Sequence, residues 1–565
     1  MVVNGRHLNP SSVIRASPLS LETVTIQKRY LDYLILALLV VIALVIRLGF
    51  LSLYGNLILH EDSGPYIDEA ERLIEGRETT NGLPGRPIGY PLFLAAAITF
   101  LSSDLLVTVL LQHFLSVAGA MLLTLSLRML GVNNLLSYVF FVVIATAHRL
   151  MHYDNTIGAE TLTLFLMSAT FFALCGMYLR RWNPWTTSAV IGAVCAYMLL
   201  VRSATFFIPL LVAASTMLPV SKTVLPRLRQ RAALMALIAL PTVIAGIGMT
   251  QWNKAHYGRA ALSREVEPIM AFTIAYAGDM RRGTYPELRR ELLPIVQAGR
   301  ATLKDDGYST VENYQWVFRI FDVLSLDRLG SQQEKDRVVS SLFWDTLLTP
   351  QTLYRHIAED TLREIRFMLL DQTPVANSVL HPIFYSHFVV RDSKPLRIAV
   401  VRYDRPPGVM LAAALPGVIG RPLQDFLNDV ILKYYINDYV RKPGLMRLYT
   451  IISLAFLAIL LFELIRGWKI AHWIGNKTGL LLRLPVFVRQ KLQERSKAGA
   501  PPPDRQIALL ATGYWLGSAF VACFLVYALH RYSYYVLPFN AFTAFYALSL
   551  VRGGMALEKN DKTDA

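Results

Sequence analysis

Apolar runs long enough to cross a membrane recur along most of this chain. A helix needs about 20 consecutive apolar residues to span the hydrocarbon layer, and the first such run covers residues 31–54. Across all 565 residues, 54% are hydrophobic and only 17% are charged. That proportion is too apolar for an ordinary water-soluble protein of this size. The sequence therefore predicts an all-α polytopic membrane protein.

The distribution of basic residues predicts the orientation of the chain. Lysine and arginine cluster before the first predicted span, after the fourth, and between the sixth and the seventh. Short loops rich in these residues stay on the cytoplasmic side of a membrane. The same clusters account for much of the net charge of +16, so we expect no nucleic-acid partner.

We predict ten spans with both chain ends inside the cell: 31–54, 105–130, 135–152, 157–179, 187–200, 206–220, 232–252, 445–465, 507–529 and 536–551. The first run is longer than a signal-peptide core and no small-residue cleavage site follows it, so we expect it to be retained. Segment 91–101 is also apolar. Counting it as a span would place every later basic loop outside, so we predict an amphipathic helix along the outer face.

Composition divides the chain into three parts. Residues 1–252 form a predicted N-terminal transmembrane module, which includes a first external loop at 55–104. Residues 253–444 carry nearly balanced acidic and basic side chains, which indicates an external, periplasmic domain of mixed structure. Residues 445–565 form a C-terminal transmembrane module with a basic cytoplasmic loop at 466–506.

The first external loop concentrates acidic residues directly after the first span. A carboxylate beside a low-dielectric surface has a readily raised proton affinity and is suited to act as a general base. Asp62 is the candidate, because it lies at the depth where a lipid head group meets water. The acids further along are expected to form a solvated helix face: Asp68, Glu69, Glu71, Glu75 and Glu78.

Arg86 stands in a stiff turn, because glycines and prolines bracket it in the stretch GRPIGYP. A rigid guanidinium at head-group depth is suited to bind a phosphate. The alternative is an arginine that only anchors the helix at the interface.

Cysteine and histidine give no metal-ligand pattern. Cys175, Cys195 and Cys523 all lie inside predicted spans and are expected to be small core residues. His60 and His256 are isolated in the sequence, and we expect them to be surface or packing residues.

The first external loop resembles that of the GT-C superfamily of integral-membrane glycosyltransferases. The resemblance lies in Asp62, Tyr66 and Ala70 at intervals of four residues, followed by the run from Arg86 to Pro91. The subgroup includes the protein O-mannosyltransferases and the lipid A aminoarabinose transferases, which take a sugar from a polyprenyl phosphate. The resemblance covers the first seven predicted spans and the last two, but not most of 253–444.

Three further segments resemble the same superfamily in the same order. Asp154 precedes the fourth span and Glu160 opens it. An acid at a helix N-terminus is also favoured by the helix dipole, which is a structural alternative for Glu160. Arg202 ends the fifth span, where an arginine must be paired or bound to an anion. Near the C-terminus, the closing motif is matched by His530, Arg531 and Tyr532, while Pro538 is displaced from its usual position.

The resemblance implies a set of site residues. Asp62 would be the general base, and the donor phosphate would be bound by Arg86, Arg202 and Arg531. Substrate contacts would come from Tyr66, Tyr90, Asp154, Glu160, His530 and Tyr532. Some relatives carry an acidic metal ligand where this chain has Gly85, so we predict no metal ligands and leave a divalent metal as an open alternative.

The predicted function is transfer of a sugar, with inversion, from a polyprenyl-phosphate donor to a hydroxyl of a glycan, glycolipid or protein. The active site would face the periplasm or exterior of a multi-pass plasma-membrane protein in contact with membrane lipid. One alternative is a Wzy-like O-antigen polymerase or ligase. Another is a transporter of lipid-linked glycans, which usually places its ionisable residues at mid-depth within broken helices.

Overall fold

The computed structural model of the protein describes most of the N-terminal half and parts of the remainder. The described residues are 19–53, 63–76, 86–179, 181–217, 228–262, most of 270–306, 319–355, parts of 357–365, 386–390, 398–402, most of 448–458, 510–520 and 533–561. Nearly all of them are helical, which confirms the predicted all-α polytopic class.

Ten helices occupy the described part of the N-terminal region. In chain order they are α1 Leu19–Leu53, α2 Ser63–Glu75, α3 Gly89–Phe100, α4 Leu105–Met129, α5 Asn134–Ala145, α6 His148–Asp154, α7 Glu160–Tyr178, α8 Pro184–Val201, α9 Phe207–Ser215 and α10 Leu228–Tyr257. Five of the described helices are long and apolar enough to cross a membrane: Tyr30–Gly49 within α1, together with α4, α7, α8 and α10.

Two predicted spans are shorter or more broken than expected. The span at 135–152 is divided into α5 and α6, and the hydroxyl of Thr146 bonds to the carbonyl of Val142 at the break (2.7 Å). The span at 206–220 is preceded by a 3₁₀ turn, Ser203–Thr205, and α9 already ends at Ser215. Side-chain hydrogen bonds of this kind compete with regular helix geometry.

Helix α3 is confirmed as a helix, but it is not amphipathic. Its 12 residues extend about 18 Å at 1.5 Å per residue, well short of the hydrocarbon thickness of about 30 Å. The buried side includes Tyr90 and Leu94, and the exposed side carries Leu92 and Phe100. The helix has no charged residue, so both of its faces are apolar.

Polar contacts at opposite ends establish that α1 and α4 run in opposite directions. At one end, Asp32 near the start of the apolar part of α1, Tyr30–Gly49, pairs with Arg128 in the last turn of α4 (2.7 Å). At the other, Arg47 near the end of α1 bonds to Ser116 in the first half of α4 (3.1 Å). We call this second end the loop end, because α2, α3 and the turn before α7 meet there.

Helices α7 and α8 also run in opposite directions. The hydroxyl of Ser188 donates to the sulfur of Met177 far from the loop end (3.4 Å), whereas Arg202 meets Glu160 at the loop end (2.6 Å). Cys175 and Cys195 are free and fully buried between the helices, as predicted. Cys523 lies outside the described residues.

Beyond α10 the described segments are helical with one hairpin. Four of these helices are α11 Pro286–Asp306, α12 Leu326–Leu329, α13 Gln332–Leu348 and α14 Pro350–Arg355. Arg289 of α11 and Asp345 of α13 form an ion pair (2.6 Å). Strands β1, Ser386–Val390, and β2, Ile398–Arg402, pair antiparallel. A final helix, α15, covers Ser533–Asp561.

Candidate functional site

Helix α2 is fixed to the loop end by its first residue and one face. The hydroxyl of Ser63 donates to the carbonyl of Ile157 in the turn before α7 (2.8 Å). Tyr66 and Ala70, one turn apart, are buried, and Ile67 is buried beside them. This spacing is that of an amphipathic helix packed on one side. Gly76, which directly follows the last residue of α2, has a left-handed conformation (φ 63°) that terminates the helix.

The prediction that the later acids of this loop form a solvated face is wrong for two of them. Glu69 and Glu71 are 4% and 8% exposed, while Leu73 and Ile74 are exposed instead. The reason is that α2 packs against α3, and its buried side is wider than the spacing of Tyr66 and Ala70 indicates.

The buried Glu69 is partly compensated by a cation on the same helix. Arg72 contacts the Glu69 carboxylate one turn away (2.8 Å). Burial nevertheless raises the pKa of Glu69, against the opposing effect of the Arg72 charge. Asp68, by contrast, is exposed as predicted.

Three residues of the proposed motif lie in one stack. The guanidinium carbon of Arg86 is 5.6 Å from the centre of the Tyr66 ring, a distance typical of a cation–π contact. Tyr66 in turn meets Tyr90 edge to face, with ring centres 4.8 Å apart. The Tyr90 hydroxyl donates to the side-chain oxygen of Gln112 on α4 (2.5 Å). The structure therefore brings Tyr66, Arg86 and Tyr90 together.

The start of α3 lies directly against the end of α8. The hydroxyl of Tyr197 donates to the carbonyl of Gly89 (3.0 Å). A Cβ on Gly89 would lie 2.6 Å from backbone atoms of Leu200 and Val201, so only glycine permits this approach. The run from Arg86 to Pro91 is thereby joined to the segment that carries Arg202.

Glu160 and Arg202 form an ion pair at the loop end (2.6 Å), and their side chains are only 10% and 9% exposed. Glu160 is the first residue of α7, and Arg202 directly follows α8. The glutamate lies where the helix dipole favours a negative charge, and the arginine has the partner that its apolar surroundings require. The structure therefore pairs the two residues with one another, and the parts predicted for them in substrate and phosphate binding stay predictions.

Asp154 belongs to a second polar group, which we call the Arg47 cluster. Its members are Arg47, His113, Ser116, Asp154, Asn155 and Thr161. Arg47 forms an ion pair with Asp154, and both side chains are completely buried. The other Asp154 oxygen accepts from the Thr161 hydroxyl (2.5 Å).

The Arg47 guanidinium contacts four groups. Besides Asp154, it donates to the carbonyl of Ala145 (2.6 Å) and the hydroxyl of Ser116 (3.1 Å) and meets Nδ1 of His113 (3.3 Å). Nε2 of His113 bonds to the side-chain oxygen of Asn155 (2.6 Å). Because an amide oxygen only accepts, Nε2 carries the proton of a neutral imidazole and Nδ1 accepts from Arg47.

No pattern in the sequence singled out Arg47, Gln112 or His113. Each lies inside a predicted span, where an average over an apolar run hides a single polar residue. Arg47 and His113 could have been identified as ionisable residues within predicted membrane helices. Such residues have a high free-energy cost in the membrane and therefore need a partner.

Several predicted residues are not among those that the structure describes: His60, Asp62, Gly85, His530, Arg531 and Tyr532. Their roles remain predictions. His256 is exposed and stacks on Trp252, with ring centres 3.9 Å apart. Within the described ranges, no group of three or more His, Cys, Asp or Glu side chains is placed to hold a metal ion.

Comparison with known proteins gave one structural likeness. No family model matches the chain, and no curated protein matches it. Among solved structures, it is similar to the archaeal oligosaccharyltransferase AglB from Archaeoglobus fulgidus, solved in complex with an inhibitory peptide and a dolichol-phosphate. The TM-score is 0.40 at 11% identity, over 95% of this chain and 52% of AglB. The chain thus spans about half the length of that protein, and a likeness of this extent assigns neither fold nor activity.

Proposed function

We propose that this protein is a GT-C glycosyltransferase that moves a sugar from a polyprenyl-phosphate donor to an acceptor hydroxyl at the external face of the membrane. The observation that carries the proposal is the convergence of motif segments far apart in the sequence. Tyr66, Arg86 and Tyr90 form one stack, and Gly89 joins that stack to the end of α8, next to Arg202.

The donor phosphate is assigned to Arg86, Arg202 and Arg531. Guanidinium groups bind phosphate oxygens through paired hydrogen bonds and stabilise the charge that develops on a leaving phosphate. Glu160 supports this role by holding the side chain of Arg202 in one place (2.6 Å). Arg86 is partly exposed, which leaves it accessible from outside the bundle.

Asp62 is assigned as the general base. It directly precedes Ser63, whose hydroxyl is anchored to the turn before α7. The acceptor oxygen attacks the anomeric carbon and gives its proton to Asp62. The bond from that carbon to the phosphate oxygen breaks, and the polyprenyl phosphate leaves with the bonding electrons. Attack opposite the leaving group inverts the anomeric centre.

Substrate contacts are assigned to Tyr66, Tyr90, Glu160, His530 and Tyr532, and acceptor choice to the external domain 253–444. Asp154 is completely buried, with one oxygen paired with Arg47 and the other bonded to Thr161, so it is assigned a supporting role in the turn instead of the predicted substrate contact. Gln112 holds the same turn, which carries Glu160. Gln112 donates to the carbonyls of Asp154 and Thr156, at 2.8 Å each.

A transfer assay tests the proposal. Purified protein supplied with polyprenyl-phosphate sugars should transfer one of them to an acceptor with inversion. Asp62→Asn should abolish the transfer, whereas Asp68→Asn, at an exposed acid of the same loop, should not. Full activity of Asp62→Asn would remove Asp62 as the base. Joining of preformed lipid-linked glycans without use of monosaccharide donors would favour the polymerase or ligase alternative.

Labelling of intact cells tests the face of the membrane. Single cysteines placed in the loop 55–104 and in 253–444 should react with an impermeant maleimide. Reaction only after permeabilisation would place both segments in the cytoplasm and would overturn the proposed function.

A further inference from the structure

The Arg47 cluster is difficult to explain by stability alone. Arg47 lies in α1, six residues before its last residue Leu53, and its side chain is fully buried. A buried ion pair is often no more stable than apolar side chains of the same volume. An ionisable residue kept in a membrane helix therefore indicates a task other than packing.

We propose that Arg47 is a positioning residue, which holds the turn 154–160 in place for the reaction without touching the substrate. The inference rests on the proposed function, since Glu160 at the end of this turn orients Arg202. It adds to that function a residue that no motif contains.

The guanidinium is placed to fix the turn to two other elements. Through the Ala145 carbonyl it holds the end of α5 (2.6 Å), and through Ser116 it holds α4 (3.1 Å). Its ion pair with Asp154 then fixes the start of the turn. A planar fork of donors reaches three elements at once, which the single ammonium of lysine does not reproduce.

The turn contacts both sides of the proposed site, so its position determines the positions of both. Its Ile157 carbonyl accepts from Ser63, next to Asp62 in the sequence (2.8 Å). Its last residue, Glu160, holds Arg202 (2.6 Å). A turn released from Arg47 would therefore loosen the base and a phosphate ligand together, and misplacement of reacting groups by about 1 Å costs roughly 100-fold in rate.

Kinetic comparison of two arginine variants provides the first test. Arg47→Met should lower kcat by about 100-fold and should also raise the KM for the donor, because it loosens the phosphate ligand Arg202. Arg47→Lys should recover only a small part of kcat. The matched control is Arg128→Met, which breaks the pair with Asp32 at the opposite end of α1 and α4. It should leave kcat per folded molecule near the wild-type value. Equal kcat losses in Arg47→Met and Arg128→Met would overturn the inference.

A labelling readout tests the turn without any activity. Thr156 is 4% exposed, so the cysteine of Thr156→Cys should react slowly with a maleimide in the wild-type background. Adding Arg47→Met should accelerate the reaction at least tenfold, and adding Arg128→Met should not. Unchanged reactivity with Arg47→Met would contradict the inference. If the wild-type protein transfers no sugar, the proposed function fails, whereas the labelling result still decides whether Arg47 fixes the turn.

Two alanine variants, which change the structure less, test the inference if Arg47→Met does not fold. Ser116→Ala removes one contact of the guanidinium. Ser126→Ala removes a bond to the carbonyl of Leu122 on the same helix (2.8 Å) and a contact with the Cys175 thiol, neither of which involves the Arg47 cluster. The loss of one hydrogen bond to a charged group changes an equilibrium constant by about tenfold. Ser116→Ala should therefore lower kcat by about tenfold. Equal kcat values for the two alanine variants would overturn the inference.

Discussion

The backbone of Gly89, at the start of α3, lies against the backbone of Leu200 in the last turn of α8. A Cβ on Gly89 would come within 2.6 Å of the Leu200 carbonyl carbon. Since the obstructing atoms are backbone, no side-chain rotation relieves the clash. This contact joins the segment that holds Arg86 to the segment that holds Arg202.

Gly89→Ala should therefore separate α3 from α8. Overpacking of this kind costs about 1–3 kcal/mol, and we expect the free energy of unfolding to fall by that amount and sugar transfer to fall further. Thermal unfolding in detergent and the transfer assay measure the two effects. Gly248→Ala is the control, because a Cβ there meets nothing within 4 Å. A Gly89→Ala protein as stable and active as wild type would contradict the prediction.

Stability and activity should depend differently on the pair of Glu160 and Arg202. Stability should require only that neither charge is left without its partner, whereas activity should require both residues. Removing one partner of a buried pair costs about 3–5 kcal/mol, so Arg202→Met and Glu160→Leu should each destabilise the protein. The double variant should recover much of the stability, since no charge is left uncompensated, but it should remain inactive. Denaturant unfolding and transfer assays on the three proteins measure this.

An ion pair on the protein surface serves as the reference for these changes in unfolding free energy. Arg337 pairs with Glu334 (2.9 Å), and its side chain is 71% exposed. An exposed pair is worth up to about 1 kcal/mol, so Arg337→Met should change the unfolding free energy by no more than this. Recovery of transfer in the Arg202→Met and Glu160→Leu double variant would show that the pair is only structural.

Glu69 should make stability depend on pH. Its pKa in the folded protein is raised by burial above the ordinary value of 4.5. The stability it contributes is therefore present below that ordinary value and is lost as pH rises through the folded pKa. Glu69→Gln does not ionise, so its stability relative to wild type should rise with pH over that window. Thermal unfolding at a series of pH values measures the difference.

Glu291 provides a comparison of opposite sign. A hydrogen bond from Arg328 lowers the pKa of Glu291, so its contribution is present above the ordinary pKa and is lost as pH falls through the folded pKa. Glu291→Gln should therefore lose stability relative to wild type as pH rises. The same direction of change in both variants would be inconsistent with these assignments.

Arg86 should govern donor affinity. A charge-assisted hydrogen bond is worth about 1.5–3 kcal/mol, so Arg86→Ala should raise the KM for the polyprenyl-phosphate donor by about tenfold or more. Arg86→Lys should recover only part, because it keeps the charge and loses the fork. Tyr66→Leu removes the ring under the guanidinium and should give a smaller rise. Steady-state kinetics with varied donor measure these effects.

Arg72 offers a control in the same loop, since it pairs with Glu69 and has no assigned part in the reaction. Arg72→Gln should leave the KM for the donor unchanged. If Arg86→Ala behaves like Arg72→Gln, Arg86 does not bind the donor phosphate.

Several features of the candidate site were predictable from the sequence. Tyr66, Arg86 and Tyr90 were singled out by the resemblance to the GT-C motif, and Arg86 also by its stiff turn; the structure brings all three into one stack. Glu160 and Arg202 were placed at span ends with a structural alternative for each, and the structure pairs them with one another. The burial of Glu69 and Glu71 was not predictable, because it depends on where α3 packs.

The sequence by itself determined that the chain is a helical membrane protein, and it predicted the bounds of α4, α7 and α8 within three residues. It did not predict that α1 begins at Leu19 or that α5 and α6 are separate helices. Hydrophobicity along a run is a local sum, and it does not depend on what the run contacts. Tertiary structure alone decided which polar groups meet. Arg47 and Asp154 are separated by 107 residues, and an ion pair forms only when folding brings the two groups into direct contact within an interior that excludes water.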